Sequence, residues 1–264
     1  MLTYKYNIKK TISEPMTERC QILWLDETDS TQSALLGHID KYDNMSVVAA
    51  ELQTAGRGQR GNKWLAEKGK NLTFSMLLKF GEGGLPRMMA ADQFRITEAA
   101  TLGVASYLDS AGMDCRIKWP NDIYIRNRKI CGMLIENVLR GKDISCSIVG
   151  IGLNVNQKGF PPQLPNPTSM TLHTGINYDT HDELEKLCVH LRESFLKNLQ
   201  GGTANPDYEA RLFRKGVFHE YARCSDGTVF EARILGVSPS GKLRTENRKG
   251  ELEEFAFKEI SYII

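Results

Sequence analysis

The architecture turns on residues 116–155, RIKWPNDIYIRNRKICGMLIENVLRGKDISCSIVGIGLNV. Apolar and β-branched residues predict strands over Arg116–Trp119, Ile123–Ile125 and Cys131–Leu139, with Arg126–Lys129 as the hairpin turn between the last two. Ile144–Val155 is apolar almost throughout, which predicts a buried strand. Four strands joined by short turns make a sheet, and the neighbouring sequence extends it. Gln21–Asp26, Ser46–Glu51 and Leu72–Phe80 read as further strands. Pro86 opens a predicted long helix, in which Ile96, Ala100, Val104, Tyr107 and Leu108 recur at helical spacing and Gly112 provides the stop.

Downstream of the sheet lies a Pro-rich loop, PPQLPNP. A second long helix is expected from Thr180, where Thr180 and Glu183 have capping-box spacing. Leu184, Leu187, Cys188, Leu191 and Phe195 form its apolar face, Gly201-Gly202 ends it, and Asp207–Phe213 predicts a short helix. After Gly216 the pattern changes. Tyr221–Cys224, Thr228–Val237, Lys242–Thr245 and Glu254–Phe257 read as short strands between turns at Asp226-Gly227, Pro239–Gly241 and Arg248–Gly250. A β unit this small is expected to pack on the main domain. The expected organisation is an N-terminal extension (1–21), an α/β main domain around a sheet (22–215) and a small β domain (216–264).

Composition excludes several classes. With 41% hydrophobic and 25% charged residues the 264-residue chain is an ordinary globular sequence. The formal net charge of +2 gives no bulk signal for nucleic acid or membrane. The six cysteines and five histidines are scattered, with no C-x-x-C or H-E-x-x-H, so no metal site is expected. Reduced thiols, the lack of an apolar transmembrane run and the absence of a signal-peptide pattern predict a cytoplasmic protein.

Five segments hold residues suited to chemistry. In Thr54–Trp64, TAGRGQRGNKW, Gly56, Gly58 and Gly61 alternate with Arg57, Arg60 and Lys63. Free backbone N–H groups and guanidinium forks make an anion cradle, though a solvated basic turn has the same composition. It is neither a Walker loop nor a dinucleotide fingerprint. In KWPNDIY (118–124), Asn121 and Asp122 either make a simple turn or offer oxygens to a polar ligand, with Trp119 as a shield. In RKICGMLIEN (128–137), Lys129 is a solvated hairpin residue or neutralises developing negative charge, and Gly132 lets a ligand approach the strand. In VGIGLNVN (149–156), Gly150 and Gly152 weaken a buried strand, which calls for a closely approaching ligand or backbone, and Asn154 is a core or site amide. In ETDSTQ (27–32), Asp29, Ser30 and Thr31 either cap a helix or bind a polar head group.

Taken together and in this order, ETDSTQ, QTAGRGQRGNKW, KWPNDIY, RKICGMLIE and VGIGLNVN resemble the biotin–protein ligases, and the resemblance runs from about Ile22 onward. It implies a catalytic domain around a mixed β-sheet, of the class II synthetase-like biotin/lipoate ligase fold, with an SH3-like β-barrel at the C-terminus. It implies two half-reactions. Biotin and ATP, with Mg²⁺, give biotinyl-5′-AMP, and the biotinyl group then passes to a lysine of a biotin carboxyl carrier protein domain. It implies that Ser30, Thr31 and Gln53 hold the ureido ring, and that Gly56, Arg57 and Gly58 lie in a loop closing over the carboxylate and phosphate. Gly132 and Gly150 then line the biotin slot. Lys129 meets the reacting carboxylate and α-phosphate, and Arg57 adds a second cation. Arg60, Trp64, Asn121 and Asn154 belong to the nucleotide side, and Asp122 orients the incoming lysine. A homodimer through an edge strand near Ile144–Val155 follows only by analogy.

Two departures matter. Many members read G-R-G-R where this chain has Gln59, one cation fewer for retaining the adenylate. Some members carry a winged-helix DNA-binding domain first, for which the 21 residues before Ile22 are too few, so no DNA partner is expected. The neighbouring alternatives are a lipoate or octanoate ligase of the same architecture, and a non-catalytic biotin-binding module. Retention of Lys129, Arg57 and Asp122 disfavours the module.

Overall fold

A computed structural model describes residues 20–199 and 205–264. The expected helix stop at Gly201-Gly202 and most of the N-terminal extension lie outside them. The chain builds two sheets. The larger runs β1 (Ile22–Leu25), β2 (Val47–Ala50), β3 (Leu72–Lys79), β8 (Asp143–Leu153), β7 (Arg128–Arg140), β6 (Asp122–Ile125) and β5 (Arg116–Lys118), with the two-residue β4 (Met88–Met89) pairing with β8. Only β1 and β2 are parallel, so the sheet is mixed as expected. The long β7–β8 ladder sets Gly132 opposite Gly152 and Leu134 opposite Gly150, which gathers the small residues of two motifs at the sheet centre.

The buried positions explain the layers. Along α2 (Phe94–Ser110), Ile96, Ala99, Ala100, Val104, Ala105, Tyr107 and Leu108 are inaccessible and face the sheet and α4 (Thr180–Asn198), which returns Leu184, Leu187, Leu191 and Phe195. Burying each large apolar side chain contributes roughly 1.5–3 kcal/mol. The short α1 (Thr31–Leu36), α3 (Met170–Thr174) and α5 (Pro206–Ala210) complete this unit.

Several expectations need correction. The first long helix starts at Phe94, not Pro86, because Met88 and Met89 are drawn into pairing with β8. The second is capped by Asp179, whose carboxylate accepts from the backbone N–H of His181 and Asp182, and not by Thr180. Glu183 turns inward and accepts a hydrogen bond from the Tyr107 hydroxyl. Pro206 at a first helical turn starts α5 earlier than Asp207, and it ends at Ala210. The RNRK turn narrows to Arg126-Asn127, with Arg126 at φ 53°. Ile144–Val155 is no edge: β8 is bonded by β3 on one side and β7 on the other, so a second copy cannot pair with it.

The C-terminal unit is one antiparallel sheet, β12 (Leu252–Phe255), β11 (Leu243–Asn247), β10 (Val229–Val237), β9 (Phe218–Arg223) and β13 (Ile260–Tyr262) in that order. Its terminal strands β12 and β13 are not paired with each other, so the expected barrel stays open. The unit packs on the main domain as expected. Tyr221, Ile234, Val237 and Leu243 join the same core as α2, and the Trp119 indole Nε1 donates to Gly241 O over 2.9 Å.

Glu98 on α2 lies 2% exposed and accepts from the Asn205 N–H over 3.0 Å. Burial raises its pKa above the ordinary carboxylate range, against the Asn205 hydrogen bond and the Arg95 charge, which lower it. Its contribution to stability is therefore present below the unfolded-state pKa and is lost as pH rises through the folded value. Glu98→Gln keeps the acceptor and removes the ionisation. Thermal unfolding from about pH 4 to about pH 8 should show the Gln variant gaining on the native protein as pH rises. A pH-independent difference would contradict this account.

Candidate functional site

A cleft of about 480 Å³ opens between the large sheet, the 54–64 loop and the C-terminal unit. Its polar end is built by α1. Asp29 Oδ1 accepts the Ser30 N–H, which sets the first turn, and Ser30 and Thr31 are each 2% exposed. Gln53 Oε1 accepts from the Thr31 N–H over 2.8 Å and lies 3.2 Å from its hydroxyl. The Thr31 hydroxyl is 2.8 Å from Ser75 Oγ, which donates to Gln32 Oε1 over 3.1 Å, and Gln32 Nε2 donates to Ile148 O. This connected set places hydroxyls and amides at one end of the cleft.

The glycine-rich loop forms a tight hairpin over the cleft. The Trp64 N–H donates to Gly56 O and the Gly58 N–H to Asn62 O, while Gly61 turns the chain at φ 78°. At its base the Trp64 indole lies flat on Gly152 and beside Gly132. A Cβ on Gly152 would stand 2.2 Å from Trp64 Cε2, and one on Gly132 would stand 3.2 Å from Cζ3. Gly152 is therefore needed for this seat, whereas a Cβ at Gly132 would first crowd the end of the Lys129 side chain, at 2.9 Å. The indole Nε1 is buried without a partner.

The charged end combines β6, β7 and the C-terminal unit. Lys129 Nζ is 2.7 Å from Asp122 Oδ1 and 5.9 Å from the centre of the Trp64 ring. Asn121 Nδ2 donates to Met133 O over 2.5 Å, which fixes the Trp119–Asp122 turn and its cis Trp119-Pro120 bond against β7. Lys118 Nζ sits 4.6 Å from the Tyr262 ring centre and 5.6 Å from that of Tyr124. Burial, then the Asp122 charge, pushes the Tyr124 phenol up to about 12, so it stays protonated. One end thus offers hydroxyls and amides and the other gathers cations, with the Trp64 indole, Phe74, Ile151 and the strand glycines between them.

Ser30, Thr31, Gln53, Arg57, Gly58, Trp64, Asn121, Asp122, Lys129, Gly132 and Gly150 all line this cleft. Gly56 faces a second hollow of about 470 Å³ behind the loop, which Gln53 and Trp64 also touch. Asn154 is 4% exposed and does not line the cleft; its Nδ2 donates to Thr168 O, and its Oδ1 has no partner. The Arg60 side chain lies outside the described residues.

The family model of the biotin/lipoate A/B protein ligases matches residues 24–154, the stretch that carries these motifs up to Asn154. A biotin–[acetyl-CoA-carboxylase] ligase of Paracoccus denitrificans is 31% identical over 173 residues, 62% of this chain and 68% of that protein. This chain belongs to the biotin/lipoate A/B protein ligase family. The bifunctional ligase/repressor BirA of Escherichia coli is 32% identical over 178 residues, 67% of this chain. The match spans about half of that relative's length, 54%. Among solved structures, the biotin protein ligase of Aquifex aeolicus in complex with biotin and ATP is 26% identical, with a TM-score of 0.72 over 91% of this chain and 97% of that one.

Some of the family member's cleft residues were not singled out from the sequence. Gln32 closed the quoted ETDSTQ segment, and Ser75 is one of two hydroxyls, with Thr73, in an otherwise apolar strand. Lys118 stood in a quoted motif without a role. Ile260, Ser261 and Tyr262 of β13 reach the cleft from the other sheet, and a three-residue strand gives no periodicity to find them by.

Proposed function

We propose that this chain is a biotin–protein ligase: it joins biotin and ATP to biotinyl-5′-AMP and pyrophosphate, then transfers the biotinyl group to a lysine ε-amine on a biotin carboxyl carrier domain. The single observation behind this reading is the cleft's polarity. A neutral hydrogen-bonding end (Ser30, Thr31, Gln53) is separated from a cationic end (Lys118, Lys129) by an apolar slot under Trp64. Biotin has the same order of groups: a neutral ureido ring, an apolar chain and a carboxylate.

In the first step the carboxylate oxygen attacks the α-phosphorus and pyrophosphate leaves. Lys129 offsets the repulsion between the two anions and stabilises charge on the phosphoryl oxygens. The loop covers the mixed anhydride from water. In the second step Asp122, freed from Lys129 once anions occupy that lysine, accepts a proton from the incoming ammonium. The amine then attacks the acyl carbon and AMP leaves. Mg²⁺ would come with the triphosphate and supply charge neutralisation there; among the described residues no group of three or more His, Cys, Asp or Glu side chains gathers to hold a metal. No helix of the described residues is long and apolar enough to cross a membrane.

The test is pyrophosphate release from Mg-ATP with biotin, lipoate or octanoate supplied separately, with mass spectrometry of the acyl adenylate. Release with biotin alone is expected. Release with lipoate or octanoate would move the substrate to the other branch of the family. Binding of biotin without release would make the protein a binding module.

A further inference from the structure

The loop over the cleft is fastened to β7 and β8 at three places. Trp64 lies in the Gly132–Gly152 seat, and Gln59 Nε2 donates to Met133 O over 3.4 Å. The third is Arg57, whose guanidinium grips Glu136 with both terminal nitrogens, Nη2 to Oε1 at 2.6 Å and Nη1 to Oε2 at 3.3 Å. Glu136 lies on β7, 79 residues further along the chain, and its side chain is 32% exposed against 43% for Arg57. It closes the RKICGMLIE segment, in which sequence reading assigns it no role of its own.

The forked pairing has a consequence for Arg57. A guanidinium engaged on both terminal nitrogens by one carboxylate has committed the edge it would present to a second anion. Lys129, by contrast, approaches Asp122 with a rotatable ammonium that can be shared or moved. The two cations therefore have different employment. Lys129 is placed to meet the reacting anions, and Arg57 is placed to bind the loop to the sheet.

The geometry points to Glu136 as a positioning residue: its carboxylate latches Arg57 and holds the loop closed, so that Arg57 acts through Glu136 and not on the bound anions. For a bound acyl adenylate, which rests on the ligase reading above, the latch sets how fast the intermediate escapes before an acceptor lysine arrives. Glu136→Gln keeps the size and one acceptor but loses the charge.

Two quantities test this in the full chain. The first is amide exchange of the 56–64 backbone without ligand. The second is the first-order release of biotinyl-AMP into solution after a single round of synthesis. Removing a half-exposed forked ion pair should raise both by about three- to tenfold in Glu136→Gln. The exchanged pair, Arg57→Glu with Glu136→Arg, should bring both back toward the native values. A structural defect at either position alone would not be repaired by the exchange. Unchanged loop exchange in Glu136→Gln would overturn the latch. Exchange restored by the swapped pair, with release as fast as in Arg57→Ala, would assign Arg57 to the bound anions and overturn the proposal too. If the native protein makes no biotinyl-AMP at all, the ligase reading fails, while the ligand-free exchange measurement still decides the latch.

Discussion

Lys129→Ala is expected to slow adenylate formation by roughly 10²-fold or more, the scale seen when one preorganised donor to a developing charge is removed. Biotin affinity should fall much less. Lys129 is placed by two constraints. Its backbone N–H donates to Asn166 O over 2.7 Å and its carbonyl accepts from the Thr168 N–H over 2.9 Å, which pins the start of β7 to the Pro-rich loop. Its ammonium then crosses to Asp122 beside the Trp64 ring. Its ammonium is held by one carboxylate at 2.7 Å and can be shared with a second anion. In the ground state a carboxylate and a polyphosphate can be held by other contacts. As the carboxylate oxygen closes on phosphorus, charge accumulates on the phosphoryl oxygens, which this ammonium is proposed to meet. Single-turnover pyrophosphate release, set beside a biotin titration, separates the two effects. A loss confined to affinity would remove Lys129 from the chemical step.

Gly152→Ala is expected to produce the second largest effect, through shape alone. The new methyl carbon would sit 2.2 Å from Trp64 Cε2 and 2.5 Å from Cζ2, inside the indole. The ring must leave its seat or the strand must move, and β8 is held by ladders on both sides. Overpacking of this kind costs about 1–3 kcal/mol. That is roughly 5- to 150-fold in the balance between seated and unseated loop. The fold should survive, because the methyl faces the cleft and the core is untouched. The expected signature is a native-like melting temperature, a red-shifted tryptophan emission from Trp64 and weak biotin binding. A variant that binds biotin normally would show that the indole seat is dispensable.

The motif residues were legible because each segment packs its chemistry into a few contiguous positions. Gly150 and Gly152 in an apolar strand announced a close approach, and the seated Trp64 gives that approach a physical cause at Gly152. At Gly150 the near neighbour is Gln32 Oε1, 2.5 Å from where a Cβ would stand. The strands of the large sheet were legible for the same local reason, since β-branched and apolar runs define them. What stayed hidden depends on partners distant in the chain. Nothing near Pro86 tells that Met88 will pair with Ile144, and nothing in the LIEN of β7 tells that Glu136 will meet Arg57. The barrel expected at the C-terminus fails to close for a similar reason. Local turns predict neighbouring hairpins, whereas closure requires β12 and β13 to meet. Asn154 shows a further limit. Read as either a core or a site amide, it lies buried just beyond β8, where its Nδ2 donates to Thr168 O, and it does not line the cleft.

The placement of β13 also bears on how this protein comes into being. Tyr262, Ser261 and Ile260 form one wall of a cleft whose opposite end is set by Ser30 and Thr31. A chain emerging from the ribosome in N-to-C order can fold the large sheet once β8 is out, yet it has no complete cleft until residue 262 is free of the exit tunnel. The contacts that finish the site are among those of greatest sequence separation, and such contacts form late. Synthesis itself thus acts as a timer: a half-made chain can hold the glycine-rich loop and its lysine, but lacks the wall that completes the cleft. Fragments released early are expected to be folded and idle, and not promiscuous acylating agents.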